Sequence, residues 1–71
     1  MTITDTIADK LRDEILRGVI LPGKFLSSES QICERFEASR GTVRNALKVL
    51  INDGIIESVP SKGYRVVPAK R

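Results

Sequence analysis

SRGTVRNALKVL, residues 39–50, is the stretch on which the fold depends. Its leading Ser39 is a natural N-cap, because the hydroxyl can accept from a backbone N–H left free in the first helical turn. Val43, Ala46, Leu47 and Leu50 then recur at the spacing of a single buried helical stripe. The opposite face carries Gly41, Arg44, Asn45, Lys48 and Asn52, with Arg40 at one flank and no acidic residue. Such polarity suits a helix laid in a DNA major groove, where Arg and Lys favour guanine O6/N7 and Asn favours adenine N6/N7. The competing reading is a solvated face, as most charged helix faces are. In that reading Arg40 and Arg44 pair on the surface with Glu34, Glu37 or Asp53, and Asn45 and Lys48 are merely hydrated.

The surroundings narrow the choice. A chain of 71 residues makes one small domain and buries roughly 60% of its unfolded surface, with little room for an enzyme cleft between layers. It contains no His and a single Cys, Cys33, so no disulfide and no Cys/His metal cluster can form within it. Neither a catalytic residue nor a metal or other cofactor is expected. On its apolar helix face Cys33 reads as a small core residue in preference to a redox sensor. No basic segment followed by a long apolar run opens the chain, and no stretch approaches membrane-spanning length. A cytoplasmic protein in a reducing compartment is the expectation.

Charge is unevenly divided. Residues 1–38 hold five Lys/Arg against seven Asp/Glu, a sum of −2, and residues 39–71 hold seven against two, a sum of +5. The basic half takes in the polar helix and the residues after it, the pattern of an electrostatic footprint for phosphates.

The other elements can be placed along the chain. A first helix is predicted from about Asp5 to Arg17, capped by Thr4, with Ile7, Ala8, Leu11 and Ile15 on its apolar face and Gly18 as a left-handed stop. Pro22-Gly23 makes a turn, and Lys24-Phe25-Leu26 reads as a short strand. A second helix opens at Ser28, with Gln31 in a capping-box position, and buries Ile32, Cys33 and Phe36. After the turn Glu37-Ala38 the third helix runs from Ser39 to about Asp53 and is ended by Gly54. Ile55–Val59 and Tyr64–Val67 are β-branched strands joined by Pro60-Ser61-Lys62-Gly63, with Tyr64 packed on the sheet and 68–71 a frayed tail. The fold class is α+β: a winged helix-turn-helix of three helices with a C-terminal β-hairpin wing, filling residues 1–71 as one domain. A helix pair joined by a tight turn places its second member in the groove, and Lys62 and Arg65 can carry the hairpin to flanking phosphates or the minor groove. The alternative for those two side chains is a gatekeeping role on an exposed sheet edge.

The sequence resembles the DNA-binding domain of the GntR family of bacterial transcriptional regulators over residues 11–67. The resemblance is carried by Leu21-Pro22-Gly23, Ser28-Glu29, Ser39-Arg40, Thr42-Val43-Arg44, Leu47-Lys48-Val49-Leu50, Gly54 and Gly63. It implies a transcription factor that binds a palindromic operator as a homodimer, one subunit to each half. By this resemblance Arg40 and Arg44 contact bases and phosphates in the major groove, Ser39 and Thr42 bind backbone phosphate, and the wing tip enters or skirts the minor groove. With the helix polarity, the residues assigned to DNA are Ser28, Ser39, Arg40, Gly41, Thr42, Arg44, Asn45, Lys48, Lys62 and Gly63.

Three positions depart from the family pattern. Ser30 stands where an arginine usually helps read DNA, Ser61 replaces the first wing glycine, and Ile51 replaces a polar residue. Family members usually continue into a ligand-binding, dimerising domain, and no effector is assigned to this chain. Any dimer would use the winged helix itself or the DNA, with Leu16, Arg12 and Ile51 as candidates for the seam, so a monomer that pairs on its operator is expected. The leading function is sequence-specific binding of double-stranded DNA to regulate transcription, as a repressor. The alternative is a winged-helix protein–protein interaction module that leaves the basic face unused. An enzyme is rejected, since no His and no paired carboxylates supply a general base.

Overall fold

The structure, a computed structural model, describes residues 2–68. Three helices, α1 (Ile3–Leu16), α2 (Glu29–Phe36) and α3 (Arg40–Asn52), precede an antiparallel hairpin of β1 (Ile56–Val59) and β2 (Gly63–Val66). The expected tail lies largely outside the described residues.

Local chemistry sets each helix boundary. Thr2, not Thr4, caps α1: its Oγ1 accepts from the Asp5 N–H at 3.1 Å, and the Asp5 carboxylate accepts from the Thr2 N–H in return. Thr and Asp three apart form this reciprocal pair, whereas Thr4 has only apolar Ile7 at the corresponding place. Ser28 and Gln31 make the box predicted for α2, at 3.2 and 3.1 Å. Glu37, in the left-handed conformation (φ 53°), ends α2, and Ala38 donates to the Cys33 carbonyl at 3.0 Å. Only Glu37, Ala38 and Ser39 separate α2 from α3, the short turn of a helix-turn-helix.

The predicted stripe of α3, Val43, Ala46, Leu47 and Leu50, is wholly buried. It packs against α1, α2 and β1, so α3 is the central element. Ile7, Ala8 and Leu11 of α1, Leu26, Ile32, Ile56 and Val66 complete the core. Among the described residues no polar or charged side chain is buried there. Cys33, Phe36 and Ile15 are half-buried at its margin. Ile51 is half-buried on the core too, which makes it a core-edge residue.

Residues 23–26 form a single bridge, Phe25 with Arg65, in place of the short strand predicted. The segment nonetheless runs along β2: Leu26 donates to the Tyr64 carbonyl at 2.8 Å, Val66 to Lys24 at 2.9 Å, and Gly23 to Val66 at 2.9 Å. Those bonds cover one edge of the hairpin and place Ser28, at the start of α2, beside the wing.

Candidate nucleic-acid interface

The register of the hairpin sorts its side chains. Ser58 pairs with Tyr64 and Glu57 with Arg65, and successive strand residues point to opposite faces. Tyr64 therefore turns toward the helices and Arg65 away from them. The Arg65 guanidinium is held by Glu57 through Nε at 2.6 Å and through Nη2, on the face shared with Gly23 and Phe25. Arg65 thus lies on the face opposite Tyr64, where it borders one shallow pocket together with Lys62. Strand alternation is the reason.

On the helical side a groove runs between the start of α2 and the wing. Ser28, Glu29, Ser30 and Arg40 form one wall, and Ser58 through Tyr64, including Lys62 and Gly63, form the other. Four of the predicted DNA-binding residues, Ser28, Arg40, Lys62 and Gly63, are brought together there. The others, Ser39, Gly41, Thr42, Arg44, Asn45 and Lys48, lie along the outer side of α3, all exposed except half-buried Thr42. No predicted site residue is in the core.

The first turn of α3 is ordered by Ser39, whose Oγ accepts from the Thr42 N–H at 3.2 Å while the two hydroxyls lie 3.0 Å apart. Arg40 and Arg44, one helical turn apart, extend from that turn with their side chains about three-fifths exposed at 61% and 58%. Neither pairs with Glu34, Glu37 or Asp53. Arg44 donates its Nε to both oxygens of Glu29 at 3.2 Å, and Arg40 donates Nη2 to Ser30 Oγ at 2.8 Å with Nη1 3.8 Å from Glu29. Asp53 is engaged instead by Arg12, at 2.6 Å. Lys48 and Lys62 make no ion pair with the described residues.

Sequence reasoning overlooked Glu29 and the use made of Tyr64. The Tyr64 hydroxyl donates to Glu29 Oε2 at 3.0 Å, so one carboxylate touches α3 and the wing from the first residue of α2. Partial burial, and then the bond to Glu29, push the phenol above its ordinary value, so it stays a neutral donor. The available signal was the Ser28-Glu29 pair, an acid ahead of a basic helix, but its partners are 15 and 35 residues away. Among the described residues no group of His, Cys, Asp or Glu could hold a metal ion, and no helix is long and apolar enough to cross a membrane.

Residues 3–66 match the family model described as bacterial regulatory proteins, gntR family. The chain belongs to the gntR family. Over 60 residues, 84% of the chain, it is 44% identical to the mannosyl-D-glycerate transport/metabolism system repressor MngR of Escherichia coli K12. It is 35% identical over 69 residues, 97% of the chain, to the Glc operon transcriptional activator of the same strain. These stretches are 25% and 27% of the two relatives, so the chain spans about a quarter of their length. Among solved structures, the AraR DNA-binding domain in complex with operator ORX1 superposes with a TM-score of 0.92 at 27% identity, over 94% of this chain and 81% of that one. A gntR-family regulator from Listeria monocytogenes gives 0.92 at 25% identity, over 100% and 62%. The gntR winged helix is thus the fold of this chain, and the relatives named here are transcriptional regulators.

Proposed function

We propose that this gntR-family chain is a single DNA-binding domain that reads a palindromic operator and represses transcription. In this reading α3 enters the major groove and the wing tip at Lys62 and Gly63 meets flanking phosphates or the minor groove. Arg40 and Arg44 read base edges, with Asn45 and Lys48 further along the same face. Ser28, Ser39, Gly41 and Thr42 approach the phosphate backbone. The observation that carries the reading is the arrangement of exposed Arg40, Arg44, Asn45 and Lys48 on one side of α3, with Lys62 across the adjacent groove. The superposition on a domain bound to its operator supports it. Repression is inferred from the 44% identical repressor.

Two copies pair on the palindrome, each weak alone on its half-site. Of the three candidates for a seam, Arg12 is engaged by Asp9 and Asp53 and Ile51 is packed on the core, which leaves Leu16, 75% exposed. A regulator of this kind works in the cytoplasm.

Selection of bound sequences from a random duplex pool, with a salt titration on the selected site, tests the proposal. A palindromic consensus is expected, with affinity falling steeply as salt rises because bound phosphates release counterions. An interaction module that ignores the basic face would give no consensus and a shallow salt dependence.

A further inference from the structure

Glu29 has a position that a helix-capping acid alone does not require. As the first residue of α2 its charge favours the positive end of that helix, and exposure to solvent would serve that purpose. Instead its side chain is only 19% exposed, turned against the outer face of α3. Both carboxylate oxygens accept from Arg44 Nε, and Oε2 also accepts from Tyr64. A carboxylate offers about four acceptor sites, so the two donors do not compete.

Holding a guanidinium by Nε has a directional consequence. The edge bearing Nη1 and Nη2 is left with no hydrogen-bond partner among the described residues, and the side chain is 58% exposed. That edge matches a paired acceptor such as guanine O6/N7. A free arginine would have to give up its rotamer freedom on binding, whereas a tethered one has largely done so. The Tyr64 bond attaches the wing to the same carboxylate, so the reading angle of Arg44 and the seat of the hairpin share one acceptor.

We propose that Glu29 is a positioning residue for DNA reading, fixing the base preference of Arg44 and seating the wing against α3. The inference rests on the DNA-reading function proposed above. Two other roles are distinguishable: helix stabilisation alone, and a charge mask that Arg44 must shed before meeting DNA.

The test measures affinity for the selected operator and for unrelated duplex in the parent, Glu29→Ala, Glu29→Gln and Tyr64→Phe, with circular dichroism to establish folding. Glu29→Ala is expected to lower the ratio of specific to non-specific affinity about tenfold, within the range of one lost bidentate contact. The loss should fall on the base pair that Arg44→Ala relaxes, and should vanish when Glu29→Ala is added to Arg44→Ala. Glu29→Gln, which keeps one acceptor oxygen without the charge, should restore part of the ratio, and Tyr64→Phe, which leaves Glu29 in place, should lose less than Glu29→Ala. An unchanged ratio in folded Glu29→Ala or Glu29→Gln overturns the proposal, as does equal tightening on every duplex, the mark of a charge mask. A loss of equal size in the Arg44→Ala background overturns it too. A parent that selects no sequence removes the DNA-reading function itself, whereas a selective parent with indifferent Glu29 variants removes only the positioning role.

Discussion

Arg12 on α1 donates to Asp53, the C-cap of α3, at 2.6 Å, and its other terminal nitrogen donates to Asp9 at 2.9 Å. The contact ties α1 to the end of α3 across 41 residues of chain. It also neutralises an acid placed at the negative end of a helix, where its charge is unfavourable. Arg12→Ala is therefore expected to destabilise the fold by about 0.5–1 kcal/mol, the range for an exposed pair that leaves two acids behind. Asp53→Asn should change stability by less than about 0.5 kcal/mol, because relief at the helix end offsets the lost ion pair. Urea unfolding of the two variants checks the asymmetry.

Arg40 and Arg44 provide the direct test of the reading helix. Replacing either by alanine is expected to cost about 1–3 kcal/mol of specific binding and to relax base preference at one position per half-site. Competition binding with single-base operator variants measures both. A folded variant that keeps the parent's affinity and preference would remove that residue from the assignment.

Lys62 at the wing tip should behave differently. Its alanine variant is expected to weaken binding to all duplexes about equally and to reduce the slope of log affinity against log salt by roughly one. A shift in sequence preference would instead show the tip reading a narrow minor groove.

Ser61 occupies the left-handed region at φ 65°, where a side chain meets backbone crowding that glycine avoids. Ser61→Gly is expected to stabilise the fold by about 0.5–1 kcal/mol, the relief of crowding less the greater entropy of an unfolded glycine. Thermal melts would settle the sign. A lower melting temperature would show that the turn gains more from the serine hydroxyl than it loses to crowding.

Glu14 and Arg35 link α1 to α2, with Nη1 donating to Oε1 at 3.1 Å and Nη2 to Oε2. The hydrogen bonds from Arg35 hold the Glu14 carboxyl below its ordinary 4.5, and Arg35 itself is raised by the same bonds. The unfolded chain therefore binds a proton at Glu14 at higher pH than the folded one. Stability from this pair is complete above the ordinary carboxylate value and is lost as pH falls through the lower folded one. Arg35→Ala should be less stable than the parent at neutral pH, with the gap closing below about pH 4.5. A gap unchanged with pH would show that Arg35 acts through its packing over the Phe36 ring, at 4.9 Å.

Much of the fold was legible in the chain because its determinants are local. The Ser28–Gln31 box, the Ser39 cap and the stripe Val43, Ala46, Leu47, Leu50 depend on residues no more than four apart, whose geometry a helix imposes. Even the misplaced cap of α1 was a local matter, a choice between two threonines decided by which had an acid three residues on. The outward set of Arg40, Arg44, Asn45 and Lys48 comes from the same periodicity, since burying one face exposes the other. Which acid meets which arginine is not local. Arg44 found Glu29 rather than Glu37, and Asp53 found Arg12, because packing of the helices brought together groups separated by 15 and 41 residues. Arg65 faced away from the wing groove once pairing with Glu57 set the register, and residues 23–26 bonded to β2 only because the hairpin lay alongside them. Ion pairing between long side chains is decided by a few ångströms of backbone placement. Periodicity supplies the face of a helix, and only the packed structure supplies that distance.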